Sequence, residues 1–266
     1  MSNSRFADFE TFAIGLAAVA GAAILPLFRA EHGLEDKGTG KAENRFDPVT
    51  LADKAAEAAI RRAIAARYPD HGVIGEEYGE DRPDAEFVWV LDPIDGTRAF
   101  ISGLPVWTTL IALRHQGRPV VGAIAQPFLD EVFVGTHNGS KVIRGGVERA
   151  LRVRACAGIG QALIATTDPY LFRGDDAPRF ERLRQAARLT RYGCDAYAYA
   201  MVALGSLDLV IEAGLKAWDI EAAIPLIKGA GGFITDWSGA EIGPHGGQML
   251  ICGDAGVRDA AIGLLS

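Results

Sequence analysis

An apolar run that ends in two closely spaced carboxylates constrains this chain more than any other feature. Residues 87–91 (FVWVL) have the character of a buried strand and are followed by DPIDGT, in which Asp92 and Asp95 flank a proline and an isoleucine. Two carboxylates held at a strand end form a compact site of hard oxygen ligands, which Mg²⁺ prefers. Asp-Pro and Asp-Gly are also common turn dipeptides, so this stretch alone leaves an ordinary β-turn open.

The overall composition is that of an acidic globular protein. With 266 residues, 49% hydrophobic and 23% charged, the chain can form one large core or two closely packed halves. A net charge of -7 argues against a general nucleic-acid or anionic-membrane partner. It is compatible with a small phosphorylated substrate, because bound cations reverse the local field.

The cysteines do not indicate a metal site or a disulfide framework. Cys156, Cys194 and Cys252 are far apart and match no metal-ligand spacing. An odd, sparse count is typical of a reducing compartment. We predict free thiols, and no residue beside Cys194 suggests a partner for a nucleophilic cysteine.

The N-terminal segment contains an apolar stretch, 13–28, that needs to be distinguished from a signal or membrane segment. It is shorter than the ~20 residues of a spanning helix, and Pro26 interrupts it. The residues before it include Asp8 and Glu10, unlike the basic start of a signal peptide. We therefore expect a buried first helix, no membrane partner and a cytoplasmic protein.

The first half of the chain reads as two helices followed by strands. Residues 5–30 predict a helix, and the polar, glycine-rich segment 31–47 predicts a mobile loop. Thr50 and Asp53 have the spacing of a capping box, which predicts that a second helix begins there. Predicted strands are 73–75, 87–91, 108–113, 119–125, 132–134 and 142–144. This order is expected of an α+β protein.

The second half alternates strands with helices. Predicted strands are 162–166, 207–212, 233–235 and 249–252, and predicted helices are 178–189, 197–204, 220–230 and one from Val257. Glu76 follows a strand and Asp219 precedes a helix, so both lie where side chains from separate elements converge. Each also has a simpler interpretation, Glu76 as a surface acid and Asp219 as a helix cap.

Three motifs together resemble one enzyme family. GEE at 75–77, LDPIDGT at 91–97, and WDI with AAxPLIxGAGG at 218–232 are similar to the Mg²⁺-dependent inositol monophosphatase family. The resemblance implies a layered α-β-α-β-α sandwich shared with the sugar bisphosphatases, built from an N-terminal lobe, 1–150, and a C-terminal lobe, 151–266. It also implies a homodimer and two or three Mg²⁺ ions bound between the lobes.

The resemblance assigns roles to residues of both lobes. The implied metal ligands are Glu76, Asp92, the Ile94 carbonyl, Asp95 and Asp219. Thr97 would orient the attacking water with Glu76, Asp53 would be the acidic partner of Thr97, and backbone N–H groups of Gly96 and Thr97 would bind the phosphate. The implied reaction is direct attack by metal-activated water, without a phospho-enzyme. Neither Lys37 nor Lys41 aligns securely with a lysine of the family's mobile loop.

Residues after the carboxylate motif resemble the branch of the family that dephosphorylates histidinol phosphate. The segments that carry this resemblance are 98–107, 191–199 and 211–216. Asp195 and Glu212 would accept hydrogen bonds from the substrate's ammonium and imidazole groups, with Asp95 as a further substrate contact. Asp195 has an alternative interpretation as a helix cap.

Two other functions stay open at this point. One is a broad inositol or nucleotide phosphatase of the same family. The other is a catalytically silent relative that acts as a binding or regulatory subunit. The loss of a metal ligand would favour the second, and none of the implied ligands is missing from the sequence.

Overall fold

The chain folds into two β-sheets separated and flanked by helices. The computed structural model describes residues 3–30, 35–36, 48–243 and 246–266. The predicted loop over 31–47, including Lys37 and Lys41, lies outside the described residues apart from the pair at 35–36.

The first half of the chain forms the larger sheet. Its helices are α1 (Asn3–Ile24), α2 (Leu51–Arg67) and α3 (Thr97–Ile101), and its strands are β1 (Glu35–Asp36), β2 (Pro48–Val49), β3 (Gly72–Gly75), β4 (Gly79–Asp81), β5 (Phe87–Asp95), β6 (Thr108–His115), β7 (Arg118–Gln126), β8 (Glu131–Thr136), β9 (Gly139–Arg144) and β10 (Val147–Ala150). The sheet has the order β10-β9-β8-β7-β6-β5-β3-β4. Only the pairing of β3 with β5 is parallel among these described strands.

The second half forms a five-stranded mixed sheet. Its strands are β11 (Leu163–Thr166), β12 (Leu189–Tyr192), β13 (Leu209–Leu215), β14 (Phe233–Thr235) and β15 (Gly247–Cys252), and its helices are α4 (Asp176–Ala186), α5 (Asp195–Ala203), α6 (Ala217–Ile220), α7 (Ala223–Gly229) and α8 (Ala255–Leu265). The strand order is β12-β11-β13-β15-β14. The division into lobes at 150/151 stays a prediction.

Alternating side chains assign each sheet face to a different core. On β5, Trp89 and Leu91 join the core under α1 and α2, whereas Val88 and Val90 join the core that holds α5 and α7. Strand β13 does the same between that central core and the one beneath α4 and α8. A side-chain period of two therefore builds five layers, α-β-α-β-α, as predicted.

Helix α1 packs through one face against the larger sheet. Phe9, Leu16 and Ile24 are among its buried residues, and the helix contacts α2, β6, β7 and β8. By length and composition the segment Arg5–Leu27 is also apolar enough to cross a membrane. The predicted packing in the core is confirmed, and the cytoplasmic location stays a prediction.

Several expected element bounds differ from the structure, and the first helix ends at Ile24, followed by a 3₁₀ turn to Leu27. The helix predicted over 178–189 ends at Ala186, and Leu189 begins β12 instead. The helix predicted over 220–230 is two helices, α6 and α7, and Asp219 lies within α6. The strand that carries the two aspartates does not stop at Asp92 but continues to Asp95.

Candidate metal centre

A β-bulge brings the two aspartates of DPIDGT to the same face of the sheet. In a regular strand, residues three apart point to opposite faces. Asp92 pairs with Leu110 and Asp95 pairs with Thr108, so three steps on β5 correspond to two on β6. The extra residue restores a common face, and Pro93 costs little there because the ladder is already interrupted.

Asp219 completes a cluster of carboxylates from both halves of the chain. One oxygen from each of Asp92, Asp95 and Asp219 can be chosen so that all three lie within 4.8 Å of one another. Asp219 is the third residue of α6, and its carboxylate accepts a hydrogen bond from the Lys216 backbone N–H at 2.6 Å. The helix that was predicted to begin after Asp219 therefore begins before it, and its first turn fixes the carboxylate.

The carboxylates of this cluster favour protonation. Burial raises the pKa of Asp92 well above its ordinary value, and the charges of Glu76, Asp95 and Asp219 raise it further. Burial likewise raises the pKa of Asp95, and it raises the pKa of Asp219 to about 7. The carboxylates cannot ionise together at low cost without a cation between them.

A divalent cation fits this arrangement. Asp92 is 2% exposed, and its buried Oδ1 atom has no hydrogen-bond partner among the described residues. Within the described ranges, no Arg or Lys side chain forms an ion pair with the three aspartates. An unpartnered buried oxygen in a cluster of carboxylates has the chemistry of a site for Mg²⁺.

Glu76 lies at the edge of the cluster. It follows β3, the parallel neighbour of β5, and its backbone N–H donates to the Leu91 carbonyl at 3.2 Å. Its charge contributes to the raised pKa values of Asp92, Asp95 and Asp219. The structure therefore brings Glu76 close to the three aspartates, and its role as a metal ligand stays a prediction.

The predicted contact between Thr97 and Asp53 is not formed in the described structure. Thr97 Oγ1 donates to the Ile94 carbonyl at 3.2 Å, whereas Asp53 Oδ2 accepts from the N–H and hydroxyl of Thr50 at 2.8 and 2.6 Å. The capping box predicted for α2 is thereby confirmed. Burial raises the pKa of Asp53 to about 6, and its charge acts on Asp92, so it lies near the cluster.

Gly96 lies directly against Asp195. Gly96 has φ of 82°, and a Cβ at this position would lie 2.9 Å from Asp195 Oδ2. A side chain is therefore excluded both by the left-handed backbone and by the carboxylate. The roles of the Gly96 and Thr97 N–H groups in phosphate binding stay predictions.

Asp195 does not cap helix α5. Asp95 does so from the other sheet, since its Oδ2 accepts from the Ala196 N–H at 2.6 Å. Asp195 has φ of 44°, a left-handed conformation that is uncommon outside glycine. Its carboxylate lies near Thr167 and Arg98, and both of these residues lower its pKa.

Glu212 lies beneath Thr166, the last residue of β11, and Thr167, which follows it. It is 1% exposed and accepts hydrogen bonds from Thr166 Oγ1 at 3.1 Å, Thr167 N at 2.7 Å and Thr167 Oγ1 at 2.9 Å. Burial raises its pKa to about 8. Glu212 thus holds Thr167, which influences the pKa of Asp195. Its predicted direct contact with substrate stays a prediction.

Comparisons with known proteins agree with this geometry. The sequence profile described as "Inositol monophosphatase family" matches residues 7–260. The chain belongs to the inositol monophosphatase family. It is therefore a metal-dependent phosphomonoesterase of that family, and small phosphorylated molecules are the family's typical substrates.

Relatives in this family carry different substrate names. The chain is 42% identical over 241 residues to the bifunctional phosphatase IMPL2, chloroplastic, of Arabidopsis thaliana, which covers 90% of this chain and 67% of that protein. It is 33% identical to the histidinol-phosphatase of Chlorobaculum parvum over 81% of this chain and 83% of that one. The inositol monophosphatase structure from Zymomonas mobilis superposes with a TM-score of 0.87 at 37% identity, covering 100% of this chain and 99% of that one. The layered fold is confirmed, and membership of the family leaves the branch open.

Proposed function

We propose that this protein hydrolyses L-histidinol phosphate to L-histidinol and phosphate, using Mg²⁺ held by Asp92, Asp95, Asp219 and Glu76. The observation that carries the choice of substrate is the position of Asp195. Its carboxylate lies against Gly96, the residue proposed to bind the phosphate. A methyl group on Gly96 would be only 2.9 Å from Asp195 Oδ2, too close to be accommodated without a shift.

The substrate has a cationic group at the matching place. In histidinol phosphate the ammonium is on the carbon next to the ester carbon, so it lies only a few bonds from the phosphate. A carboxylate beside the phosphate-binding turn can form a charge-assisted hydrogen bond with it, which is stronger than a neutral one. An inositol phosphate has a hydroxyl group near that place and would gain less.

Asp195 has the ionisation state that this role requires. Burial raises its pKa to about 6, while Arg98 and the Thr167 hydrogen bond act in the opposite direction. The carboxylate is therefore mostly ionised at neutral pH. An ammonium would compensate the charge of Asp195 and stabilise the bound substrate.

The remaining residues are proposed to position phosphate and water. When bound, Mg²⁺ would neutralise the phosphate dianion and lower the pKa of a water molecule. We assign the Ile94 carbonyl to the ligand set, the Gly96 and Thr97 N–H groups to the phosphate oxygens, and the Thr97 hydroxyl with Glu76 to the water. Asp53 supports this region from the start of α2.

A substrate panel tests the proposal. Purified protein with Mg²⁺ is expected to release phosphate from L-histidinol phosphate far faster than from inositol 1-phosphate or a nucleoside monophosphate. Equal or reversed rates would overturn the assignment of substrate and favour the broader phosphatase, for which the similarity to the Zymomonas mobilis enzyme is the supporting observation. No turnover of any phosphomonoester would instead favour a silent binding subunit.

A variant of Asp195 tests the basis of the choice. Asp195→Asn is expected to lower kcat/KM for histidinol phosphate by about 10- to 100-fold, because a hydrogen bond between charged groups contributes about 1.5–3 kcal/mol. Activity towards inositol 1-phosphate should fall much less. Asp259→Asn is the control, since Asp259 is an exposed carboxylate on α8 that pairs with Arg258 at 2.7 Å.

The assembly and location belong to the same proposal. We infer a cytoplasmic homodimer with two or three Mg²⁺ ions per active site, as is common in the family. Light scattering of the purified protein tests the dimer, and calorimetric titration of metal-free protein with Mg²⁺ gives the number of ions. Fractionation of cells that express the full chain tests the location.

A further inference from the structure

A second buried carboxylate lies on α2 just behind the segment that carries Glu76. Glu57 is 0% exposed. Its Oε2 accepts from the Glu77 N–H at 2.8 Å, and its Oε1 accepts from the Tyr78 N–H at 3.2 Å and from Arg61 Nε at 2.8 Å. Both oxygens are thus used to hold the residues that directly follow Glu76.

The residue before Glu76, Gly75, also packs closely against Glu57. A Cβ on Gly75 would lie 2.0 Å from Glu57 Oε1, so only glycine lets β3 end this close to the carboxylate. Arg61, one turn further along α2, donates from Nη2 to the Gly79 carbonyl. The segment 75–79 therefore packs closely on α2 at its start and is hydrogen-bonded to it at residues 77, 78 and 79.

Glu76 lies between these contacts. Its own N–H bonds to the carbonyl of Leu91, the residue before Asp92. The hydrogen bonds at residues 77, 78 and 79 and the close packing at Gly75 leave its backbone little freedom relative to β5. Because α2 also carries Asp53, one helix sets the position of two residues at the edge of the metal centre.

We propose that Glu57 is a positioning residue which, with Arg61, fixes the backbone of 75–79 so that Glu76 reaches the metal. This inference rests on the proposed role of Glu76 as a metal ligand. Residues that orient metal ligands without touching the metal commonly contribute about 10- to 100-fold to metal affinity. Glu57 occupies such a place through the backbone of its neighbours.

The variant Glu57→Gln removes the charge with almost no change in shape. Donors approach both carboxylate oxygens, so an amide in either orientation places its NH₂ group against an N–H group. Two donors cannot bond, and the segment must shift. Glu57 bonds to the backbone N–H groups of Glu77 and Tyr78. The change therefore reaches Glu76 through the backbone of these neighbours.

The test measures metal binding directly. Metal-free protein is titrated with Mn²⁺, and free Mn²⁺ is followed by electron paramagnetic resonance. Glu57→Gln is expected to weaken Mn²⁺ binding by about 10- to 100-fold and to raise the Mg²⁺ concentration for half-maximal activity by a similar factor. Turnover at saturating Mg²⁺ should recover. Arg61→Gln should act in the same direction, and Arg62→Gln, an exposed arginine on the same helix, should change neither value.

A matched carboxylate separates positioning from stability. Asp208 is also buried, and it accepts hydrogen bonds from Arg154 Nε at 2.6 Å and from the Leu163 N–H at 2.7 Å. It directly precedes β13 in the five-stranded sheet and is not part of the aspartate cluster. Asp208→Asn is expected to lower the Tm and leave Mn²⁺ affinity unchanged. If Glu57→Gln behaves in the same way, Glu57 only stabilises the fold and the inference is wrong.

Two more variants separate this inference from the proposed function. If Glu76→Gln weakens Mn²⁺ binding and Glu57→Gln does not, positioning by Glu57 is refuted while the metal role of Glu76 survives. If Glu76→Gln leaves Mn²⁺ binding unchanged, both fail. Should Glu57→Gln not fold, Gly75→Ala displaces the same segment from the other side, and unchanged Mn²⁺ affinity in that variant would also refute the inference.

Discussion

Two sets of buried carboxylates in this molecule differ in what neutralises them. Asp208 is paired with Arg154 in the second half of the chain, and Glu221 is paired with Arg114 across the two halves. In the described structure, Asp92 and its neighbours in the cluster have no such partner. The first kind completes the fold with its own cations, and the second requires a cation from solution.

The pKa values follow this division in part. Burial opposes ionisation of Asp208, yet Arg154 and the Leu163 N–H hold its pKa below the ordinary value. Burial outweighs Arg114 at Glu221, whose pKa is raised. At Asp92 burial and like charges act together. An arginine partner therefore reduces the cost of a buried carboxylate without always cancelling it, whereas in the described structure the cluster receives only hydrogen bonds from uncharged groups, at Asp95 and Asp219.

The largest expected effect comes from Asp92→Asn. Losing a ligand to the cation removes several kcal/mol of transition-state stabilisation, so turnover with Mg²⁺ should fall by about 1,000-fold or more. Metal-free protein should be at least as stable as the parent, because one of several repelling charges is gone. Enzyme kinetics and calorimetry in EDTA measure the two effects.

Mg²⁺ provides the control for this variant. It should raise the Tm of the parent and leave that of Asp92→Asn almost unchanged. Turnover within tenfold of the parent would show that Asp92 is not a metal ligand. The division between the two kinds of carboxylate would then not identify the active centre.

A smaller effect is expected from Arg114→Met, which removes the arginine partner of Glu221. Arg114 Nε bonds to both oxygens of Glu221, at 2.9 and 2.7 Å, and removing it leaves a buried charge unpaired. The free energy of unfolding should fall by about 3 kcal/mol. Replacing both residues, Arg114→Met with Glu221→Met, should recover most of the loss, since apolar side chains of similar volume often substitute for a buried pair. Urea unfolding measures both, and a double variant as unstable as the single one would contradict this interpretation.

Much of the fold could be predicted because its signals are local. The capping box of Thr50 and Asp53 and the apolar strands β5 to β8 depend on neighbouring residues, and the structure confirms them. Strands β4, β10 and β12 were missed because they are mostly exposed and lack an apolar period. Their pairing depends on partners distant in sequence.

The site was predicted from motifs, but its geometry depends on contacts that sequence does not reveal. The register shift that aligns Asp92 with Asp95 belongs to the pairing of β5 with β6. Asp95 caps α5 across 101 residues, which no local pattern indicates. Glu57 was also missed, because a Glu four residues before an Arg on a helix usually indicates a solvated ion pair. Its spacing of three and seven residues from the buried Ile60 and Ile64 is the signal that could have identified it.

The smallest expected effect is a pH dependence that should be largest without metal. Burial raises the pKa of Asp219 to about 7 and that of Glu212 to about 8, from ordinary values of 3.8 and 4.5. Above pH 5 the folded state therefore holds protons that the unfolded state has lost, and stability falls as pH rises through this range. Between pH 6.5 and 8 these two groups alone should contribute a loss of about 2 kcal/mol in EDTA.

The buried His71 makes stability change with pH in the opposite direction, and it sets the lower limit of the pH range used. Burial lowers the pKa of His71 to about 4, so its contribution to stability is lost as pH falls from 6.5 towards 4 and is complete above 6.5. Urea unfolding at pH 6.5 and 8 thus isolates the carboxylates. With saturating Mg²⁺ the decrease should shrink, because the cation favours the ionised form of Asp219. Stability that rises from pH 6.5 to 8 in EDTA would mean that these carboxylates are compensated within the chain after all, like Asp208.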